Sequence, residues 1–319
     1  MLLFLPNLDS ALLEAVEWPS GRVRRLSPLR GASEAAYLGL PPTRLDDGPL
    51  VVAAFGVEPP ERSLQFHLSW LGIEDGNVVA AEGPTPPESA ALKRLLPKLD
   101  TKRLTGLFGE RTDHALVLEG FYDLGTTPLA DVLGKPLAAV VPEGEMETAL
   151  RQYVDDSVNM LSELESNVRR LDEGRAPLNL LLPWGHGAPR RLPNLALHRG
   201  EALTVETASL RMRGAARLVG YRPTSLRDGL ETDWVGFAAR RPDMALVEAF
   251  GGLSEDEAVW LLRAMRPVLE AEGLTVVAGG LILEAGAKGD VPFRADVAED
   301  RTVTQVDLGE AIDSILTPL

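Results

Sequence analysis

The chain begins with a continuous apolar run, Leu2-Leu3-Phe4-Leu5, stopped by Pro6 and Asn7. A short run without polar alternation, closed by a turn signal, predicts a strand buried on both faces, as at the centre of a parallel sheet. In "LRGASEAAYLGLPP", residues 29–42, Ser33 precedes Glu34, Ala35, Ala36, Tyr37 and Leu38, which predicts the first turn of a helix with a serine at its start. From Leu50 the texture changes. "LVVAAFGVEPP", "SLQFHLSWLGIEDGNVVAAEGPTPP" and "DHALVLEGFYD" combine apolar runs or alternation with Gly and Pro clusters, which predicts the hairpins of an α+β module. "PESAALKRLLPKL" has the 3,4 spacing of one amphipathic helix inside that module.

From Met146 a single apolar face (Met146, Leu150, Tyr153, Val154, Val158, Leu161, Leu164, Val168, Leu171) predicts one long helix that ends at Gly174. Beyond it the pattern alternates. "LNLLLPW", "ALTVET", "DMALVEAF" and "LTVVAGGLIL" predict buried strands, and helices are predicted over residues 209–219, 230–239, 254–272 and 307–316. Ser254 and Glu257 form a Ser-x-x-Glu capping box for the third of these helices. Strand–helix alternation of this kind predicts an α/β fold with a doubly wound, mostly parallel sheet. The expected domains are a core of residues 1–48 and 146–319, interrupted by a smaller α+β domain of residues 49–145.

Composition narrows the class. A chain of 319 residues with 45% hydrophobic and 25% charged residues is that of an ordinary globular protein, long enough for about two domains. Thirty-two Lys and Arg against 47 Asp and Glu leave a net charge of −15, a field that repels phosphate backbones and argues against a nucleic-acid partner. With no cysteine, disulfides, thiolate chemistry and zinc–thiolate sites are all excluded. The opening residues lack the basic and apolar regions of a secretory signal, and no run approaches the ~20 apolar residues of a membrane span. A cytoplasmic protein with no membrane partner is expected.

The run "NVRRLDEGRAPLNLLLPWGHG", residues 167–187, carries Asn167, Arg170, Gly174, Pro177, Asn179, Trp184, Gly185 and Gly187 at spacings that resemble the archaeal-type cofactor-independent phosphoglycerate mutases of the alkaline phosphatase superfamily. Weaker matches follow in order along the chain. Ser33 with Glu34 resembles the nucleophile segment, "TTPLADVLGKPL" the end of an inserted cap, and "SLRMRGAARLVGY" a helix with Arg213 where the family has a Lys. The resemblance implies an alkaline phosphatase-like core with a cap. It also implies a serine that carries the phosphoryl group, served by two divalent metals about 4 Å apart.

The metal ligands implied by the resemblance are largely missing. Asp9 reaches the first ligand position only by a register shift; Glu248, Leu253 and Glu257 fall at three later positions, Gly280 and Leu281 at an Asp-His pair, and Gly286 at a last His. Leu129 stands where the cap has a His. The only histidines are His67, His114, His186 and His198, so none lies in the last third of the chain. The expectation is a degenerate relative with no metal site and no cofactor, in a binding or regulatory role. Ser33 is then a vestigial catalytic residue, since nothing nearby would ionise its hydroxyl. Two alternatives stand beside this reading. One is a divergent mutase or phosphatase that uses Ser33, Asp9, Glu248 and Glu257 with Mn, Zn or Mg. The other is a structural or interaction protein.

Candidate ligand-binding residues come from two places. In "PWGHGAPRR" the glycines permit close backbone approach, Trp184 and His186 offer ring contacts, and Arg190 and Arg191 could meet an anion; a plain strand–helix turn is the alternative. Arg213 and Arg217, one helical turn apart, could clamp a phosphate or simply form a solvated face. The expected partner is a small phosphorylated or anionic ligand, and a homo-oligomer is compatible with everything above. Asp46-Asp47-Gly48 and Asp155-Asp156 read as a turn and a helix face. The Gly286-Ala287-Lys288-Gly289 stretch lacks the full phosphate-loop pattern.

Overall fold

A computed structural model describes residues 1–6, 8, 21–26, 34–40, 45–109, 112, 114–226, 231–248, 253–270, 274–278, 281–285, 305–306 and 312. Ser33, Asp9, Gly280, Gly286 and Lys288 lie outside these residues, as does all of the helix expected over 307–316 except Ile312, which is buried. The chain divides into two compact units. One is formed by residues 1–45 and 192–319, the other by the intervening residues 46–191.

The first unit is α/β. Its sheet runs in the order Arg222–Ser225, Thr204–Thr207, Met244–Leu246, Leu2–Leu5, Thr275–Ala278, Leu281–Ala285, Gly21–Leu26, Gln305–Val306. The first five of these strands are mutually parallel, and Leu281–Ala285 is antiparallel to both of its neighbours. The Leu2–Leu5 strand is buried along its whole length, as its unbroken apolar run requires in a sheet covered on both faces. Alternate side chains serve opposite faces. Leu3 and Leu5 join Ala245, Val247, Val276 and Ala278 against Trp234, Phe237, Leu261 and Leu262, from the helices Trp234–Arg240 and Glu255–Ala264, and Met265, which caps the second helix. On the other face the ring of Phe4 meets Tyr37 of the short helix Glu34–Tyr37, edge to face at 5.2 Å. Helices on both faces of a mostly parallel sheet are the doubly wound arrangement expected.

Three details differ from the sequence pattern. "LTVVAGGLIL" is two antiparallel strands on either side of Gly279 and Gly280 rather than one. The helix expected over 254–272 ends at Ala264, and a second short helix, Arg266–Leu269, starts with Pro267 in its first turn. Gly21–Leu26 and Arg222–Ser225 are strands that the sequence pattern did not mark, being rich in Arg, Pro and Ser rather than apolar residues.

The second unit is built on an antiparallel sheet. The strand Ser63–Glu74 pairs with His114–Glu119, which pairs with Leu104–Phe108, and its far end turns through a hairpin into Asn77–Val79. Leu180–Gly187 pairs antiparallel with Ser63–Glu74, and the helix Glu147–Ser162 packs against it. Residues 146–191 therefore sit in this unit, not in the α/β core where their place in the strand–helix alternation had put them. "LVVAAFGV" differs more sharply. Its first five residues are not a strand but the last five of the helix Asp47–Ala54, which lies on Ser63–Glu74 and Leu180–Gly187. Gly48 permits that contact, because a Cβ there would run into the backbone of Gln65. No helix among the described residues is long and apolar enough to cross a membrane.

Candidate functional site

Ligand sites of open α/β sheets form beyond the carboxyl ends of the strands, where neighbouring connections diverge. In the first unit, side chains from three segments meet at that edge. Thr207 ends its strand, and two residues later Ser209 caps the helix Leu210–Leu218, its Oγ accepting from Met212 N at 3.3 Å. This puts Arg211 in the first helical turn. Its guanidinium grips Glu34, with Nε 2.7 Å from Oε1 and Nη2 donating to Oε2 at 3.1 Å. Glu248 lies two residues beyond the strand Met244–Leu246, and the Ser209 hydroxyl donates to its carboxylate.

The electrostatics follow from this crowding. Although Glu248 keeps an exposed surface, packing around its carboxyl raises its pKa above the usual carboxylate range; Glu34 raises it further, while Ser209 and Arg211 pull it down. Tyr37 is raised as well, first by burial and then by Glu248 and Glu34, so its hydroxyl stays protonated. Ser33 directly precedes Glu34 in the chain and is outside the described residues. Glu34 is thus the described residue nearest in sequence to the candidate nucleophile.

The other positions expected to bear ligands take structural roles. Leu253 packs against the core of the first unit. Glu257 completes the capping box: its Oε2 accepts from Ser254 N at 2.9 Å and Ser254 Oγ at 2.7 Å, and these bonds hold its pKa low. Leu129 packs, partly buried, against Val132, Val140 and Val141 in the second unit. Among the described residues no three His, Asp or Glu side chains gather closely enough to hold a metal ion.

The five candidate ligand-binding residues fall in different units. Arg213, half-buried, and Arg217, exposed, are on the helix Leu210–Leu218 of the first. Trp184, His186 and Arg190 are in the second, on or just after its Leu180–Gly187 strand. There the Trp184 ring stacks on His67 at 4.9 Å, and its indole N–H donates to Ser69 Oγ at 2.8 Å. His186 Nδ1 is 3.0 Å from Thr126 Oγ1, and burial lowers its pKa while Asp46 raises it. Arg190 pairs with Asp46 at 3.0 Å and Arg191 with Glu61 at 3.3 Å. Gly185 adopts φ +59°, and a Cβ there would lie 2.7 Å from Asp47 Cβ, so this glycine admits the protein's own helix start.

Sequence reasoning missed Arg211 because the resemblance pointed to Arg213. A local signal was available: a serine N-cap directly after a parallel strand sets the first helical turn, and so the residue two places on, at the sheet's carboxyl edge.

No protein-family model matches the chain. It is 25% identical over 265 residues to a 2,3-bisphosphoglycerate-independent phosphoglycerate mutase of Methanothrix thermoacetophila, a match that covers 78% of this chain and 64% of that protein. A protein of the same name from Methanosarcina barkeri is 26% identical over 200 residues, covering 60% of this chain and 50% of its own. The chain is similar in sequence to 2,3-bisphosphoglycerate-independent phosphoglycerate mutases. Its matches span less than two thirds of the length of these curated relatives.

Solved structures extend the likeness in fold. The PH0037 protein from Pyrococcus horikoshii superposes with a TM-score of 0.65 at 15% identity, covering 99% of this chain and 96% of its own. The cofactor-independent phosphoglycerate mutase from Thermoplasma acidophilum superposes with a TM-score of 0.54 at 15% identity, covering 99% and 98%. These likenesses agree in fold with the mixed α/β architecture expected from the sequence.

Proposed function

We propose that this chain is a metal-free relative of the phosphoglycerate mutases, binding a small phosphorylated or anionic molecule in a regulatory or carrier role rather than moving a phosphoryl group. Two-metal phosphoryl transfer needs several carboxylate and imidazole donors around a pair of ions to activate the nucleophile and clamp both oxygens. The observation that carries the proposal is the use made of the corresponding positions. Leu253 packs, partly buried, against the core and Glu257 is bound into a helix cap. A glutamate that satisfies two donors at its own helix start is held there by the fold. Arg213 and Arg217, one turn apart on the helix that begins at the sheet edge, supply the positive charge for an anionic ligand. Residues 46–191 are read as the counterpart of the cap, and the protein as cytoplasmic.

One observation favours a second reading, a divergent mutase or phosphatase served by Mn, Zn or Mg: Glu34, which follows Ser33 in the chain, acts electrostatically on Glu248. Assay of the full chain for interconversion of 3- and 2-phosphoglycerate with each metal separates the two. The metal-free reading predicts no turnover but a higher melting temperature with phosphoglycerate. Metal-dependent turnover that Ser33→Ala abolishes would establish the second reading.

A further inference from the structure

At the sheet edge a guanidinium is paired with one of the two glutamates, Glu34, and acts on the other, Glu248. Glu34 accepts a hydrogen bond from Arg211 Nη2 at 3.1 Å and has its other carboxylate oxygen 2.7 Å from Nε. Glu34 is mostly buried, its side chain 16% exposed, and Arg211 is 36% exposed, so the pair is only partly screened by water. The arrangement comes from three separate segments: the helix after Ser33, the helix after Thr204–Thr207, and the end of Met244–Leu246. Two carboxylates converging from different elements repel one another unless a cation sits among them. Hard divalent ions and guanidinium both meet that need, the first through oxygen ligands and the second through a planar set of donors.

We propose that Arg211 is the built-in cation of this site, a guanidinium standing where a divalent ion would otherwise be held by Glu34, Glu248 and the Ser209 hydroxyl. This rests on the metal-free reading above and deepens it: the carboxylate pair is retained, and the positive charge that it requires is covalently part of the chain. Two carboxylates and one guanidinium leave one net negative charge. Removing the guanidinium leaves two carboxylates and a hydroxyl at the end of a rigid sheet, a donor set suited to Mg²⁺ or Mn²⁺.

The test is a Mn²⁺ titration of the full chain and its variants, followed by calorimetry and by the paramagnetic resonance signal of free Mn²⁺. Wild type and R211K, which keep the cation, are expected to show no saturable uptake. R211Q is expected to bind Mn²⁺ saturably and at least about ten-fold more tightly than wild type, and E248Q placed on top of R211Q is expected to remove that binding. If R211Q does not fold alone, Mn²⁺ is expected to restore its melting transition while R211K folds without it. Folded R211Q that binds no better than a metal-free wild type, uptake that E248Q leaves intact, or an unfolded R211Q that Mn²⁺ does not rescue would each overturn the role of Arg211. Saturable uptake by wild type itself would instead overturn the metal-free reading beneath it.

Discussion

Arg170 is the largest of the fully buried side chains, 1% exposed, and all of its donor nitrogens are engaged. Nε and Nη2 meet the two carboxylate oxygens of Glu88 at 2.9 and 2.8 Å, and Nη1 and Nη2 donate to the carbonyls of Glu82 and Gly83. Glu88 also accepts from Thr85 N and Oγ1 in a capping box, and together these bonds hold its pKa at about 2, against 4.5 in an open chain. A carboxylate with a depressed folded pKa contributes stability that is complete above its unfolded value and lost as pH falls towards its folded one. Wild type is therefore expected to exceed E88Q in melting temperature at pH 7, the gap closing between about pH 4.5 and pH 2. Arg170→Ala, which strands Glu88 and two carbonyls, is expected to cost about 3–5 kcal/mol in denaturant unfolding. The sequence singled out Arg170 through its resemblance, but not its partner 82 positions away, because only the folded chain brings the two helices together. Ser254 and Glu257 were legible as a pair because a capping box is local, and the same locality explains why Glu257 serves the helix.

At the scale of elements, apolar periodicity gave most strands of the α/β sheet and most helices, while its errors share a cause. "LVVAAFGV" is apolar on every side, so its period cannot tell a buried helix from a buried strand, and packing on two strands decides for the helix. The stretch 146–174 keeps one apolar face throughout and reads as a single helix, yet it breaks between Ser162 and Glu165, where Leu164 turns to extended backbone. Asn167 explains how the break is tolerated. Its Nδ2 donates to the Leu161 carbonyl, which the Leu164 amide also reaches at 3.2 Å, and to the Leu178 carbonyl, while Oδ1 accepts from Leu178 N, the three side-chain bonds at 2.7–2.9 Å. An amide is needed because the site calls for donors and an acceptor together. Asn167→Ala and Asn167→Asp are both expected to lower stability by about 1–3 kcal/mol or more, in proportion to the buried groups left unmatched, and hydrogen exchange at the Leu178 amide should quicken. Equal stability of either variant and wild type would refute this account of the break.

For the whole molecule, chain order could reveal an insertion but not its far boundary. The start of Leu180–Gly187 is as apolar as a strand of the parallel sheet; only its pairing with Ser63–Glu74 assigns it to the second unit. The candidate site shows the same division. Ser33, Arg213 and the glutamates were legible from local pattern and resemblance, whereas the Arg211–Glu34 pair spans 177 positions and depends on the sheet to bring it about. The sheet edge carries a guanidinium paired with a carboxylate, while a packed leucine and a helix-capping glutamate stand at two of the positions expected to hold metal. The most direct measurement is elemental analysis of the full chain after equilibration with Mn²⁺ and Zn²⁺ and exhaustive desalting. Far less than one ion per chain is the predicted result; two tightly held ions per chain, as a two-metal phosphoryl-transfer centre requires, would contradict it.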